Sequence, residues 1–152
     1  MALSANAHRL RKGRYSEIGR FYIVTVTTHQ RRPFFADWRL GRLVVQELRR
    51  AEQQGLAESL AWVVMPDHLH WLFQLKKTSL SLLLKQVKAR SAIALNKVSG
   101  SEGQIWHQGF YDHALRREEN LRKHARYIVA NPVRAGLVKR VGDYPLWDAV
   151  WL

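Results

Sequence analysis

Phe21–His29 reads FYIVTVTTH, a β-branched and aromatic run that predicts a strand. Pro33 marks a loop. From Trp38 to about Gln54 the apolar Leu40, Leu43, Val44 and Leu48 recur at helical spacing, and Gly55 ends the run. Glu58–Met65 and His68–Leu75 are two apolar runs flanking Pro66-Asp67, which predicts a hairpin. Pro-Asp does not suit the primed two-residue turns, so a connection wider than two residues is expected. Ser79–Val98 predicts a helix with Leu80, Leu83, Leu84, Val87 and Ile93 as its core stripe, and with Lys85, Lys88 and Lys97 projecting elsewhere. Ser99-Gly100-Ser101 is a loop. Phe110–Leu115 predicts a short strand, and Glu118–Ala130 a helix that Asn131-Pro132 ends. A last short turn from Val133 stops at Gly136. The order β-α-β-β-α-β-α is a split βαβ. It predicts an α+β, ferredoxin-like (RRM-like) fold: a four-stranded antiparallel sheet with helices on one face, plus a C-terminal helix.

The 152 residues fit one domain, with 1–18 as a polar, basic arm and 19–152 as the domain itself. Charge narrows the function. Lys and Arg total 25 against 12 Asp and Glu, a net +13 that attracts phosphate polymers, nucleic acid first. An anionic membrane surface is the rival partner, but no basic amphipathic helix carries Trp or Phe on an apolar side. No apolar run approaches the ~20 residues that span a bilayer, so no membrane partner is expected. The opening MALSANAHRLRKGRY has no apolar centre, so no secretory leader is expected. No long extension follows Trp151-Leu152, so regulation by such a tail is not expected. The chain has no cysteine, which excludes disulfides and thiolate zinc sites and fits a reducing cytosol. The expected location is cytoplasmic, on the nucleoid.

Candidate chemistry centres on His68 and His70. In a strand, residues i and i+2 leave the same face, so both imidazoles project together while Leu69 goes to the other side. A pair of imidazoles can hold a divalent cation, but needs a third ligand. Tyr127 and Asn131, four residues apart on the last long helix, share a helix face. Leu121, Ala125, Ile128 and Val129 supply the stripe that docks that helix, and Tyr127 lies at its edge. Asn131 can offer its amide oxygen. Two imidazoles and one amide leave the cation's charge undiminished and positions open. That set suits Mg²⁺ or Mn²⁺, a Lewis acid for a phosphate. Arg122, Lys123 or Arg126 would favour the Tyr127 phenolate. Tyr111 is a second candidate tyrosine: alternation puts Tyr111, His113 and Leu115 on one strand face. His113 can orient a ligand from behind or contact DNA.

MPDHLHWLF, WHQGFYDHALR and RYIVANPVRAGLV, in this order and at these separations, resemble the REP-associated tyrosine transposases. These are the single-tyrosine branch of the HUH nucleases. The opening GRFYIVTVTTHQRRPFF resembles the family's first strand and loop, so the likeness runs from about Gly19 to Trp147. The resemblance implies a metal-dependent endonuclease and strand transferase acting on single-stranded DNA. By position, His68 and His70 are the implied metal ligands, Tyr127 the nucleophile that forms a 5′-phosphotyrosine link, and Asn131 the third ligand. The implied substrate is a repetitive extragenic palindrome folded into a hairpin beside a short unpaired segment. Relatives occur as monomers and as dimers.

For DNA contacts the sequence offers Arg11, Lys12 and Arg14 in the arm, with Arg31, Arg32, Lys85, Lys88, Arg116, Arg122, Lys123 and Arg126. Trp106, Tyr111, Phe34 and Phe35 are candidate base-stacking rings. Two other readings share this topology. One is an RNA-recognition module, which needs aromatic rings on the open sheet face rather than histidines on a central strand. The other is a domesticated, catalytically silent protein that only binds its hairpins.

Overall fold

A computed structural model describes residues 16–116 and 120–151. Arg11, Lys12 and Arg14 lie outside the described residues, as does most of the 1–18 arm. The strands are β1 (Phe21–Thr27), β2 (Ala57–Met65), β3 (His68–Leu75), β4 (Tyr111–Leu115) and β5 (Trp147–Ala149). The helices are α1 (Trp38–Gln53), α2 (Leu80–Ser99), α3 (Leu121–Val129) and α4 (Asn131–Arg134). The sheet is antiparallel throughout, in the order β4-β1-β3-β2-β5. The α+β expectation holds, with five strands in place of four. The added strand β5 pairs only Trp147–Ala149 with Val63–Ala61, too short a run to carry a periodicity of its own.

The two long helices α1 and α2 each begin where a side chain satisfies an otherwise unpaired backbone N–H. Asp37 accepts from Arg39 N at the start of α1, and Ser79 accepts from Leu82 N at the start of α2. Both helices cover one sheet face. Val44, Leu48, Leu80, Leu83, Leu84, Val87 and Leu95 pack there against Tyr22, Val24, Val26, Leu69, Trp71 and Phe73. A bulge between Ser59 and Ala61 reverses the alternation of β2, so Ala57 and Trp62 both join this layer. Gly41 lets α1 lie against the C-terminal segment, since a Cβ there would run into the Leu146 side chain.

Helix α3 covers part of the opposite face. Leu121, Ala125, Ile128 and Val129 form the expected docking stripe and pack against Ala61, Val63, Met65, Leu72 and Ala149. After Ala130 the chain restarts as α4, with Pro132 in a first turn where its missing N–H goes unneeded. Gly136, at φ 76°, ends it.

Three sequence expectations are corrected. Ile93 is 69% exposed, and Ser91 and Leu95 complete the buried stripe of α2 instead. Residues 80, 84, 87, 91 and 95 follow the helix face more closely than 93 does. The hairpin turn is only two residues long, because Met65 pairs directly with His68. Neither Pro66 nor Asp67 has positive φ, so the turn is unprimed, and outside donors hold it: Phe35 N donates to Pro66 O and Thr28 N to Asp67 O. The first strand stops at Thr27, because His29–Arg31 form a tight turn whose Gln30 and Arg31 take left-handed backbone.

Truncating the docking stripe should loosen α3. Ile128→Ala is expected to destabilise the protein by about 2–4 kcal/mol. A denaturant melt measures the loss, and amide exchange should rise first in Leu121–Val129.

Candidate functional site

Strand alternation decides which face the histidines take. Leu69, Trp71 and Phe73 are fully buried under α1 and α2, while Leu72 is buried on the α3 face. His68 and His70 share the parity of Leu72, so both stand on the α3 face. Their rings meet edge to face at 81°, with the two Nε2 atoms 3.1 Å apart.

Each ring is held from behind. Nδ1 of His68 lies 2.8 Å from Asp67 Oδ1, and Nδ1 of His70 lies 2.9 Å from Thr25 Oγ1 on the neighbouring strand. Asp67 also accepts from Arg31 Nε at 2.9 Å. Burial pulls the Asp67 carboxyl up, but the hydrogen bonds from His68 and Arg31 outweigh it and hold the group below the usual carboxylate range. Gln30 and Arg31 both have φ 54°, a left-handed conformation that costs each residue roughly 1–2 kcal/mol. The Thr28 hydroxyl, donating to Arg32 O and Asp67 O, and the Arg31–Asp67 pair help hold that segment.

Burial keeps both rings neutral. It pushes His68 down despite its Asp67 partner. It pushes His70 down to about 3, assisted by the charges of Arg134 and Arg31 and by repulsion from His68 whenever that ring is protonated. With one proton per ring, the order follows. His68 Nδ1–H donates to Asp67, which leaves its Nε2 bare. His70 Nε2–H then donates to that nitrogen, and His70 Nδ1 accepts from the Thr25 hydroxyl. A threonine hydroxyl can also accept, so His70 can move its proton to Nδ1 and free both Nε2 lone pairs.

Tyr127 rides on the same face, on α3, and its ring is 65% exposed. The cation against it is not one of those expected from its own helix. Arg134, on α4, places its guanidinium carbon 3.6 Å from the Tyr127 ring centroid. Arg122 turns instead to the Trp151 ring, and with Arg126 lines a pocket of about 160 Å³ beside β5. Lys123 is exposed, and Asn131 is half-buried at the start of α4. Among the described residues no three His, Cys, Asp or Glu gather round one point.

Tyr111 and His113 stand on the histidine face too. Thr25 lies between His70 and Tyr111 across the sheet, and Ile23 lies beside His113. The His113 ring is 6.4 Å from His124 of α3, so it flanks the helix rather than the histidine pair. Of the basic residues, Arg31, Arg32, Lys85 and Arg116 are exposed. Lys88 is half-buried and donates to His107 O and Gly109 O, both at 2.9 Å, and burial lowers it to about 8. Its ammonium anchors the loop before β4. Two candidate stacking rings are core: Phe35 and Trp106 are buried with their centroids 5.3 Å apart. Asp67, Thr25 and Arg134 were not singled out from the sequence. Only Asp67, adjoining His68, offered a local signal.

The family model described as "Transposase IS200 like" matches residues 20–131. The chain belongs to that family. The match takes in His68, His70, Tyr127 and Asn131. An Escherichia coli protein named REP-associated tyrosine transposase is 34% identical over 87 residues, covering 56% of this chain and 50% of its own length. A Haemophilus influenzae protein given the same name provisionally is 25% identical over 146 residues, covering 86% of this chain and 80% of its own. The match thus spans about half of the first relative and most of the second. Among solved structures, a REP-associated tyrosine transposase bound to a REP hairpin superposes with a TM-score of 0.73 at 28% identity, covering 88% of this chain and 79% of that one. A provisionally assigned transposase from Deinococcus radiodurans shares the fold, with a TM-score of 0.53 at 22% identity over 79% of this chain and 95% of that one. No helix among the described residues is long and apolar enough to cross a membrane.

Thr25→Val tests the support behind His70. His70 Nδ1 should lose its hydrogen-bond donor, read as a change in the ¹⁵N shift of that nitrogen, while the proton stays on Nε2 facing His68. Stability should fall by about 0.5–1.5 kcal/mol, the net value of one hydrogen bond.

Proposed function

We propose that this IS200-like family member is a single-stranded DNA endonuclease and strand transferase. It recognises palindromic hairpin DNA and breaks the strand beside the hairpin through Tyr127. One observation carries the reading. His68 and His70 bring their Nε2 atoms to 3.1 Å, each ring backed at Nδ1, on the sheet face where α3 presents an exposed tyrosine.

The donor set fits a divalent cation. Two neighbouring ligands of one cation stand about 3 Å apart when each bond is about 2.1 Å. Carboxylate and hydroxyl partners behind the rings are the usual support for metal-binding imidazoles. His68 and His70 would hold the ion and Asn131 would offer a third donor, which suits Mg²⁺ or Mn²⁺. When bound, that ion supplies charge that polarises the phosphate.

The chain's own residues do the rest. Tyr127 Oη attacks phosphorus in line, and the Oη–P bond forms as the P–O3′ bond breaks. The phenol proton passes to solvent, and the departing 3′-oxygen takes one up. The 5′-phosphotyrosine link keeps the bond energy, so a second 3′-hydroxyl can reseal the strand. Exposure of the Tyr127 ring leaves room for DNA. The exposed Arg31, Arg32, Lys85, Arg116, Lys123 and Arg126 surround the domain with phosphate-binding charge. Tyr111 is the less suited nucleophile: it is half-buried in β4, and among the described residues no cation stacks on its ring.

A hairpin with a single-stranded flank, incubated with Mg²⁺ or Mn²⁺, should give an SDS-resistant adduct whose peptide maps by mass spectrometry to Tyr127. Tyr127→Phe should abolish it, and His68→Ala should cut it more than about a hundredfold while hairpin binding survives. An adduct on Tyr111, or binding without any adduct, would overturn the assignment. The cation has a separate readout. Mg²⁺ added to DNA-free protein should move the His70 proton from Nε2 to Nδ1 in ¹⁵N spectra, and unchanged shifts at saturating Mg²⁺ would exclude the site.

A further inference from the structure

Arg134 has a geometry that the proposed reaction leaves unassigned. Its guanidinium carbon lies over the Tyr127 ring, 3.6 Å from the centroid. At that range the plane is stacked on the ring, and the N–H edges remain free to point outward. Among the described residues Arg134 has no carboxylate partner, unlike Arg20, Arg31, Arg39, Arg50, Arg90 and Arg140. Its charge also reaches His70. An exposed, unneutralised guanidinium therefore lies against the candidate nucleophile and near the candidate cation site. Proteins place such a group where a phosphate oxygen arrives, because the planar fork donates two parallel hydrogen bonds to it.

We propose that Arg134 is a phosphate clamp: its face fixes the Tyr127 ring, and its edge binds a non-bridging oxygen of the phosphodiester that Tyr127 attacks. This rests on the transferase reading given above. The guanidinium would meet the charge that grows on the equatorial oxygens during phosphoryl transfer. Lysine cannot replace it, since an ammonium neither stacks as a plane nor donates as a fork.

The test separates binding from chemistry. In a Tyr127→Phe background, which keeps the stacked ring, hairpin oligonucleotides carry a neutral methylphosphonate at one linkage at a time, and affinity is read by fluorescence anisotropy. At one linkage the neutral substitution should weaken binding about tenfold to a hundredfold, the range for a hydrogen bond to a charged group. Adding Arg134→Ala should remove that sensitivity there and nowhere else. With Tyr127 intact, cleavage should fall at the same linkage, and both Arg134→Ala and Arg134→Lys should slow it by at least about a hundredfold. The same sensitivity profile with and without Arg134, or adduct formation unchanged in Arg134→Ala, would overturn the clamp. A linkage-specific loss in a protein that forms no adduct at all would overturn the transferase reading and leave the clamp standing as a binding contact.

Discussion

Leu69, Trp71, Phe73 and Leu75 are sealed beneath α1 and α2, each with essentially no exposed surface. Their burial sets the register of β3, and every other feature of the candidate site follows from that register. A slip of one residue would carry these side chains out of the core and drive His68 and His70 into it. Each large apolar side chain contributes about 1.5–3 kcal/mol when buried. The four together therefore outweigh any local preference of the histidines. Two imidazoles can be held side by side on a half-covered face because the other face of the same strand is wholly apolar.

The pair is then tuned by residues that the register brings alongside. Thr25 meets His70 because β1 pairs with β3 residue by residue, from Phe21 opposite Gln74 to Thr27 opposite His68. Asp67 meets His68 because a two-residue turn leaves its carboxylate no distance to travel. Arg31 reaches Asp67 from a backbone held at φ 54°. These contacts join the first strand, the loop after it and the hairpin into one hydrogen-bonded chain, running from Arg31 through Asp67, His68 and His70 to Thr25. The result is a pair of neutral rings whose Nε2 atoms face one another. A hydroxyl at the end of the chain can serve either tautomer.

The break between α3 and α4 has a similar consequence on the other side of the site. A straight helix through Asn131 would keep Tyr127 and Asn131 on one stripe. Instead, the chain leaves α3 after Val129 and restarts at Asn131, with Pro132 in the first turn and Gly136 closing the last. The short α4 carries Arg134 onto the Tyr127 ring. The phenol thus acquires a cationic neighbour from the next helix, while Arg122 of its own helix lies against Trp151.

Much of this was legible in the order of residues. Alternation along AWVVMPDHLHWLFQ placed both histidines on one face, and the stripe Leu121, Ala125, Ile128, Val129 defined how the tyrosine helix docks. Periodicity reports which face of an element is buried, and burial is what alternation and helical spacing encode. The family's motifs were also readable, since they are contiguous strings. What the chain alone left undecided were contacts between elements distant along it. Ile93 resembled a core residue until packing selected Ser91 and Leu95. Phe35 and Trp106 resembled free rings until they stacked in the core. Lys88 resembled a surface charge until two loop carbonyls claimed it. Thr25 behind His70, and Arg134 over Tyr127, have no local signature: each depends on strand register or on the angle at which one helix follows another. Those are set by how the whole core closes, so only the tertiary structure could decide them.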